Sequence, residues 1–248
     1  MSYLAQIAEP VRFKGHDGDE IEGYLARPIG EGPYGSIVLL HHAPAWDEPT
    51  IEMARKFAHH GYVAVAPHLY SRQAQGGVSP EDAAAAARAA GGTSDEQFLG
   101  DAAGALDFAR GLPYTNGRVA VIGFCSGGRQ AYLAGCKLDF DAVIDCWGGN
   151  VMASPEQLNA AHPVAPIDFT PDLHAPLLGI FGGEDYNPTR RQVEMTEEVL
   201  RQHGKAYEFH VFDGAGHSFM TTDELNFRVK QTVQAWDRIF DFMERTVA

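Results

Sequence analysis

The sequence predicts an α/β fold in which about eight strands, mostly parallel, carry helices on both faces of the sheet. Two observations predict it. The run at 35–40 is apolar on both faces, as a central parallel strand must be. Counted along the chain, the strand-like runs number about eight, and most alternate with helical segments. At 248 residues and 45% hydrophobic content the chain can bury one full core, so a single domain over 1–248 is expected.

Taken in order, residues 10–14 and 21–26 read as strands joined through Asp17-Gly18, a tight-turn pair, and so as an opening hairpin. The central strand at 35–40 runs into His41 and His42. Pro49 and Thr50 open a helix whose apolar face carries Ile51, Ala54, Phe57 and Ala58, and Gly61 closes it. Residues 62–66 form the next strand. Ser79, Pro80, Glu81 and Asp82 combine a capping serine, a first-turn proline and acidic residues, so an alanine-rich helix follows. Leu99, Ala102, Ala103, Leu106 and Ala109 give another helix its buried face. Strands are expected at 119–124, 142–147, 176–181 and 207–212. Between the second and third of these, residues 150–174 hold several prolines and little periodicity, which suggests a long loop or cap-like insertion. Asn187-Pro188 is expected to open a helix ending near Gly204, and an amphipathic helix is expected from about Thr222 to the C-terminus.

Composition narrows the function. Nineteen basic against 33 acidic side chains give a formal charge of −14, which repels nucleic-acid phosphates and anionic membrane surfaces. The first ten residues lack a basic, apolar leader pattern, and no apolar run approaches the ~18 residues of a spanning helix, so a cytoplasmic protein is expected. Cys125, Cys136 and Cys146 form neither a zinc-type spacing nor a paired framework, which suits free thiols. His59, His60, His203 and His210 have no metal-ligand spacing, and no cofactor is implied.

The chemistry centres on Gly123-Phe124-Cys125-Ser126-Gly127-Gly128, where an apolar strand breaks into a helix. Gly123 and Gly127 are what a sharp strand-to-helix elbow needs, with Cys125 at its apex. Framing the elbow on Ser126 instead would put the Phe124 ring at the crowded first-glycine position. At the apex a thiol is exposed beside a helix N-terminus, whose partial positive charge favours an anionic sulfur. His42, Cys125, Asp185 and His217 all fall just past strand ends, where ligands bind in parallel sheets. Cysteine, then acid, then histidine is the order of nucleophile, orienting acid and base in α/β-hydrolases. Glu184 is the neighbouring alternative for the acid. Trp46, Tyr70, Phe124, Trp147 and Phe219 are candidates to line a pocket, and His42 to serve the site through a proton or a hydrogen bond. Two other readings remain open: a thiol redox protein acting through Cys125, and a small-ligand-binding scaffold without catalysis.

Five stretches carry a resemblance: Gly-Tyr-Val-Ala-Val-Ala-Pro-His-Leu-Tyr at 61–70, Pro-Tyr-Thr-Asn-Gly-Arg-Val at 113–119, Gly-Phe-Cys-Ser-Gly-Gly at 123–128, Gly-Gly-Glu-Asp at 182–185 and Ala-Gly-His-Ser-Phe at 215–219. Through them the chain resembles the dienelactone hydrolase family, the cysteine-dependent branch of the α/β-hydrolases, from the opening hairpin to Phe219. The resemblance implies the α/β-hydrolase fold and hydrolysis of a small lactone or activated ester by a monomer or small homo-oligomer. It also implies a triad of Cys125, Asp185 and His217 and an oxyanion hole of the Ser126 and Ala43 amides. Family enzymes that cleave dienelactone place a glutamate where this chain has His42, and an arginine that holds the substrate carboxylate where it has Thr221. Arg72, in a matching Tyr-x-Arg stretch, is the implied cationic contact to substrate.

Overall fold

A computed structural model of the chain describes residues 5–44, 46–74, 78–222 and 225–248. Eight strands form one sheet in the order β1-β2-β4-β3-β5-β6-β7-β8. Strands β1 (Gln6–Lys14) and β2 (Glu20–Pro28) make the antiparallel hairpin, and β2 also pairs antiparallel with β4 (Val63–Pro67). From β4 onward the sheet is parallel through β3 (Tyr34–Leu40), β5 (Thr115–Phe124), β6 (Ala142–Cys146), β7 (Leu177–Gly182) and β8 (Tyr207–Phe212).

The period-2 geometry of a strand divides the apolar runs between two cores. Val38, Leu40, Val119, Val121, Val143 and Leu177 face one side. There they meet Phe98, Ala102, Ala105 and Leu106 of α3 (Asp95–Arg110), Tyr132 and Leu133 of α4 (Ser126–Lys137), and Leu200 of α5 (Arg190–Gln202). Ile37, Leu39, Ala120, Ile122, Ile144, Leu178 and Ile180 face the other side, under Met53 and Phe57 of α1 (Glu48–His59) and Trp236, Ile239 and Phe242 of α6 (Val229–Thr246). Each fully buried Leu, Ile or Phe contributes ~1.5–3 kcal/mol, so the sheet is held from both faces and its carboxyl edge is a rigid rim. The alanine-rich helix α2 (Pro80–Ala89) starts at Ser79, whose hydroxyl accepts from the Asp82 N–H, and its buried alanines belong to neither core.

Two helix starts differ from expectation. Helix α5 begins at Arg190, because Thr189 and Gln192 form a capping box that outcompetes the Asn187-Pro188 signal. Asn187 turns its N–H onto the Asp185 carboxylate instead. Helix α6 begins at Val229, seven residues past Thr222, after the backbone of Arg228 has bonded back to Phe219. Residues 150–174 contain two short 3-10 turns, Pro155–Gln157 and Pro166–Asp172. No described helix is long and apolar enough to cross a membrane.

Candidate active site

Strand β5 ends at Phe124, and Cys125 turns the chain at φ 56° and ψ −117° before α4 starts. A side chain rarely adopts that backbone, at a cost of about 1–3 kcal/mol, and it persists only where the surroundings hold it. They do so from both ends. The Cys125 N–H donates to the Cys146 carbonyl at 3.1 Å, and the Cys125 carbonyl accepts from the Gly128 and Arg129 N–H groups. No larger residue fits beside it: a Cβ on Gly123 would lie 1.8 Å from the Gly127 carbonyl oxygen, and one on Gly127 would lie 2.4 Å from that of Leu40. Parallel pairing of Leu40 with Gly123 brings the His41–Ala43 backbone alongside this elbow.

The loop after β7 carries Asp185, whose side chain is fully buried, and the loop after β8 carries His217. His217 Nδ1 lies 2.9 and 3.1 Å from the two carboxylate oxygens, which fixes the ring with Nδ1 protonated. Its other nitrogen is left for Cys125, which lines the same cavity. Burial alone would lower the imidazole pKa, but the bonds to Asp185 and Cys125 outweigh it and raise the value to about 10. Four of the five described non-glycine residues at positive φ surround this point: Cys125, Trp147, Asn150 and Ser218. Strain is therefore concentrated at the carboxyl edge of the sheet.

Cys125 and His217 open into a cavity of about 260 Å³. Ser126, Arg129 and Gln130 line it from α4, Asn150, Gln157, Leu158 and His162 from the irregular segment, and Tyr186 and Asn187 from the β7 loop. Tyr186 is 75% exposed with its ring 5.4 Å from that of His217, so it forms the rim. Of these walls, sequence reading named Ser126 alone as a site residue. Tyr186 and Asn187 flank Asp185 and Arg129 lies in the first turn after the nucleophile, so proximity in sequence could have flagged them. Gln157 and His162 give no such signal.

The remaining sequence candidates fall elsewhere. His42 Nε2 donates to Asp47 at 2.5 Å, and Asp47 also caps α1 through the Thr50 N–H and hydroxyl. Burial would raise the Asp47 pKa, but these bonds hold it below the usual carboxylate range. His42 thus anchors a helix start and does not line the cavity. Its neighbour His41 is held near pKa 3 by burial; its Nε2 accepts from the Leu69 N–H, so Nδ1 is the donor to the His42 carbonyl. Trp46 and Arg72 border a separate cleft of about 630 Å³ with His68 and Ser71. Arg72 is no free clamp: it forks onto the buried Asp101 at 2.8 and 3.1 Å and also binds Asp19 at 2.7 Å. The Tyr70 hydroxyl donates to the Ala43 carbonyl, and burial followed by the charge of Cys125 raises its pKa. Phe124, Trp147 and Phe219 pack on one another at 5.2–5.4 Å in the core behind His217, buried and away from the cavity surface. They belong to the core that also holds Met220 of the β8 loop and Trp236, Ile239 and Phe242 of α6. Thr221 is buried. Among the described residues, no group of three His, Cys, Asp or Glu is placed to hold a metal ion.

Residues 21–247 match the model of the dienelactone hydrolase family. The chain is 28% identical over 240 residues to a Methylorubrum extorquens protein assigned as a carboxymethylenebutenolidase, covering 96% of this chain and 81% of the relative. It is 26% identical over 241 residues to carboxymethylenebutenolidase of Pseudomonas putida, covering 96% of each. Among solved structures, one from Klebsiella pneumoniae assigned as a dienelactone hydrolase superposes with a TM-score of 0.83 at 24% identity, covering 96% of this chain and 98% of that one. A dienelactone hydrolase-like promiscuous phosphotriesterase from metagenomic libraries gives 0.77 at 17% identity, covering 98% and 100%. At those identities the two structures speak for the fold alone.

Proposed function

Because this chain belongs to the dienelactone hydrolase family, we propose that it cleaves a lactone or activated ester through a thioester on Cys125, with His217 as base and Asp185 as the group that orients it. The observation that carries this reading is the Asp185–His217 hydrogen bond with Cys125 in the same cavity as the ring, at an elbow whose strained backbone presents the sulfur.

With its pKa raised to about 10, the His217 ring already holds the proton drawn from the sulfur, and the sulfur attacks the carbonyl carbon; the C–S bond forms as the carbonyl electron pair moves to oxygen. Two amides support that oxyanion. Ser126 is the first residue of α4, so its N–H has no intrahelical acceptor, and the Ala43 N–H has no partner among the described residues. Collapse breaks the C–O bond, and the alkoxide or enolate leaves with the proton from His217. Water then gives a proton to His217 and attacks the thioester, and a second collapse releases the acid and restores the sulfur. Thiolate leaves more readily than amide nitrogen, so amides are poor substrates. A redox role finds no resolving partner: burial pushes the Cys136 thiol up to about 12 and the Cys146 thiol well above its ordinary range.

Intact mass after mixing with an activated aryl ester tests the reading. The wild type should carry an acyl adduct that Cys125→Ser lacks and that clears slowly in His217→Ala, with turnover reduced about 10²–10⁴-fold in the latter. Full esterase activity in Cys125→Ala would sink the assignment.

A further inference from the structure

The wall of the Cys125 cavity offers its charge in a spent form. Arg129 lines the cavity and is 8% exposed, and its guanidinium forks onto Asp95 with Nη1 to Oδ1 at 2.6 Å and Nη2 to Oδ2 at 3.0 Å. Both oxygens of the acid and two nitrogens of the base are used, in the geometry that leaves an arginine least able to grip a second carboxylate. Asp95 is itself held: its N–H donates to the Ala161 carbonyl, and His162 Nε2 lies 4.0 Å from Oδ1 while donating to the Thr93 carbonyl at 3.2 Å. The pair therefore joins the start of α3 to α4 and to the irregular segment, and it is fixed on all three sides.

Of the other polar lining, the His217 ring is engaged by Asp185, and three side chains are neutral amides. Asn187 Oδ1 accepts from the Asn150 N–H at 3.3 Å, Asn150 Oδ1 from Gln157 Nε2 at 3.0 Å, and Gln157 Oε1 from the Ser154 N–H at 2.8 Å. Each of the three amide oxygens already accepts one hydrogen bond, which biases these side chains toward offering a ligand N–H, and N–H seeks an oxygen acceptor. A formal charge of −14 on the whole chain adds a long-range repulsion of anions.

We infer that this cavity selects uncharged, oxygen-bearing esters or lactones and turns away carboxylate-bearing ones, with Asp95 as the residue that sets the preference by neutralising Arg129. This rests on the hydrolase reading above and assigns the substrate class to the same site.

A matched pair of 4-nitrophenyl adipates tests it: one with its far end as the methyl ester, the other as the free carboxylate. The chain keeps the charge remote from the reacting carbonyl, so the two have similar intrinsic reactivity. The wild type is expected to favour the methyl ester by at least about tenfold in kcat/KM, carried mainly by KM, with the ratio shrinking as salt rises. Asp95→Asn should move the ratio about tenfold toward the carboxylate by freeing the Arg129 charge, and Arg129→Met should not. Equal or preferred turnover of the carboxylate by the wild type overturns the inference without needing any variant to fold. So does an Asp95→Asn protein, folded by circular dichroism, in which both esters change alike. If neither ester gives Cys125-dependent turnover or an adduct, the hydrolase reading falls and this inference with it; turnover with the wrong preference removes the inference alone.

Discussion

Gly123→Ala puts the elbow itself to the test. The new methyl would sit 1.8 Å from the Gly127 carbonyl oxygen and 2.1 Å from its carbon, where ordinary contact begins at 3.4 Å. Relief needs a movement of about 1.6 Å between β5 and the first turn of α4 (3.4 minus 1.8), and both contacts are backbone, with no side chain to swing aside. That turn carries the Ser126 amide and aims Cys125, and a displacement of ~1 Å in a catalytic group costs about 10²-fold in rate. Overpacking adds a stability loss of about 1–3 kcal/mol. Hydrolysis of an activated aryl ester should therefore fall about 10²-fold or more, with a lower urea midpoint. Gly61→Ala is the control: it sits at positive φ, 92°, which Gly123 does not, but a Cβ there meets nothing within 4 Å. It should lose up to about 1 kcal/mol and no activity. A Gly123→Ala protein with wild-type rate and stability would refute the account of the elbow.

Other expectations follow from the same geometry. The His217 ring, raised to about 10 from 6.5, adds stability that is fully present below pH 6.5 and is lost as pH rises through about 10. Its NMR titration should fall toward neutrality in Asp185→Asn, and an unchanged midpoint would remove Asp185 as its partner. Asp145 is fully buried, and burial lifts its pKa to about 7 against the offsetting Gly148 N–H, so stability should decline from about pH 4 to pH 7 as the unfolded state ionises first. Asp145→Asn should flatten that slope by up to a few kcal/mol, measured by urea unfolding at pH 5 and pH 8. Arg72→Ala strands the buried Asp101 and should cost about 3–5 kcal/mol in stability while kcat/KM for a neutral ester holds within about twofold. A selective loss of kcat/KM there would restore Arg72 to the substrate site.

The sequence was most informative where one residue's surroundings are set by its near neighbours. The apolar run at 35–40 could only be a strand buried twice over, and its alternate residues Val38 and Ile37 indeed divide between the two cores. The glycines around Cys125 announced a backbone that tolerates nothing larger. Legibility ended where distant segments meet. Arg72 read as a loose cation because Asp101 lies 29 positions away, and His42 read as a site residue because the capping role of Asp47 was not seen. Phe124, Trp147 and Phe219 were recognisable as aromatic and as strand-end residues, but which way a side chain turns at a strand end depends on the roof above it. The helix starts at 190 and 229 were misread for a local reason in one case, the Thr189–Gln192 box, and a tertiary one in the other.

The irregular stretch beside Cys125 enters the core at Val151 and again at Ala165 and Ile167. Between those two anchorages Met152, Ala153 and Leu158 are only partly buried against that core, and polar ties add to them, Gln157 to Asn150, Ala161 to Asp95 and His162 to Thr93. A panel hung in that manner can be rewritten without disturbing the frame: replacements between 152 and 164 trade away few buried methyl groups, whereas the same number of changes in β5 would unmake the sheet. Selection can thus retune what enters the cavity on one short cassette of sequence while the elbow and its histidine stay as they are. Descent with a constant chemical engine and a changing appetite is the pattern such an architecture permits.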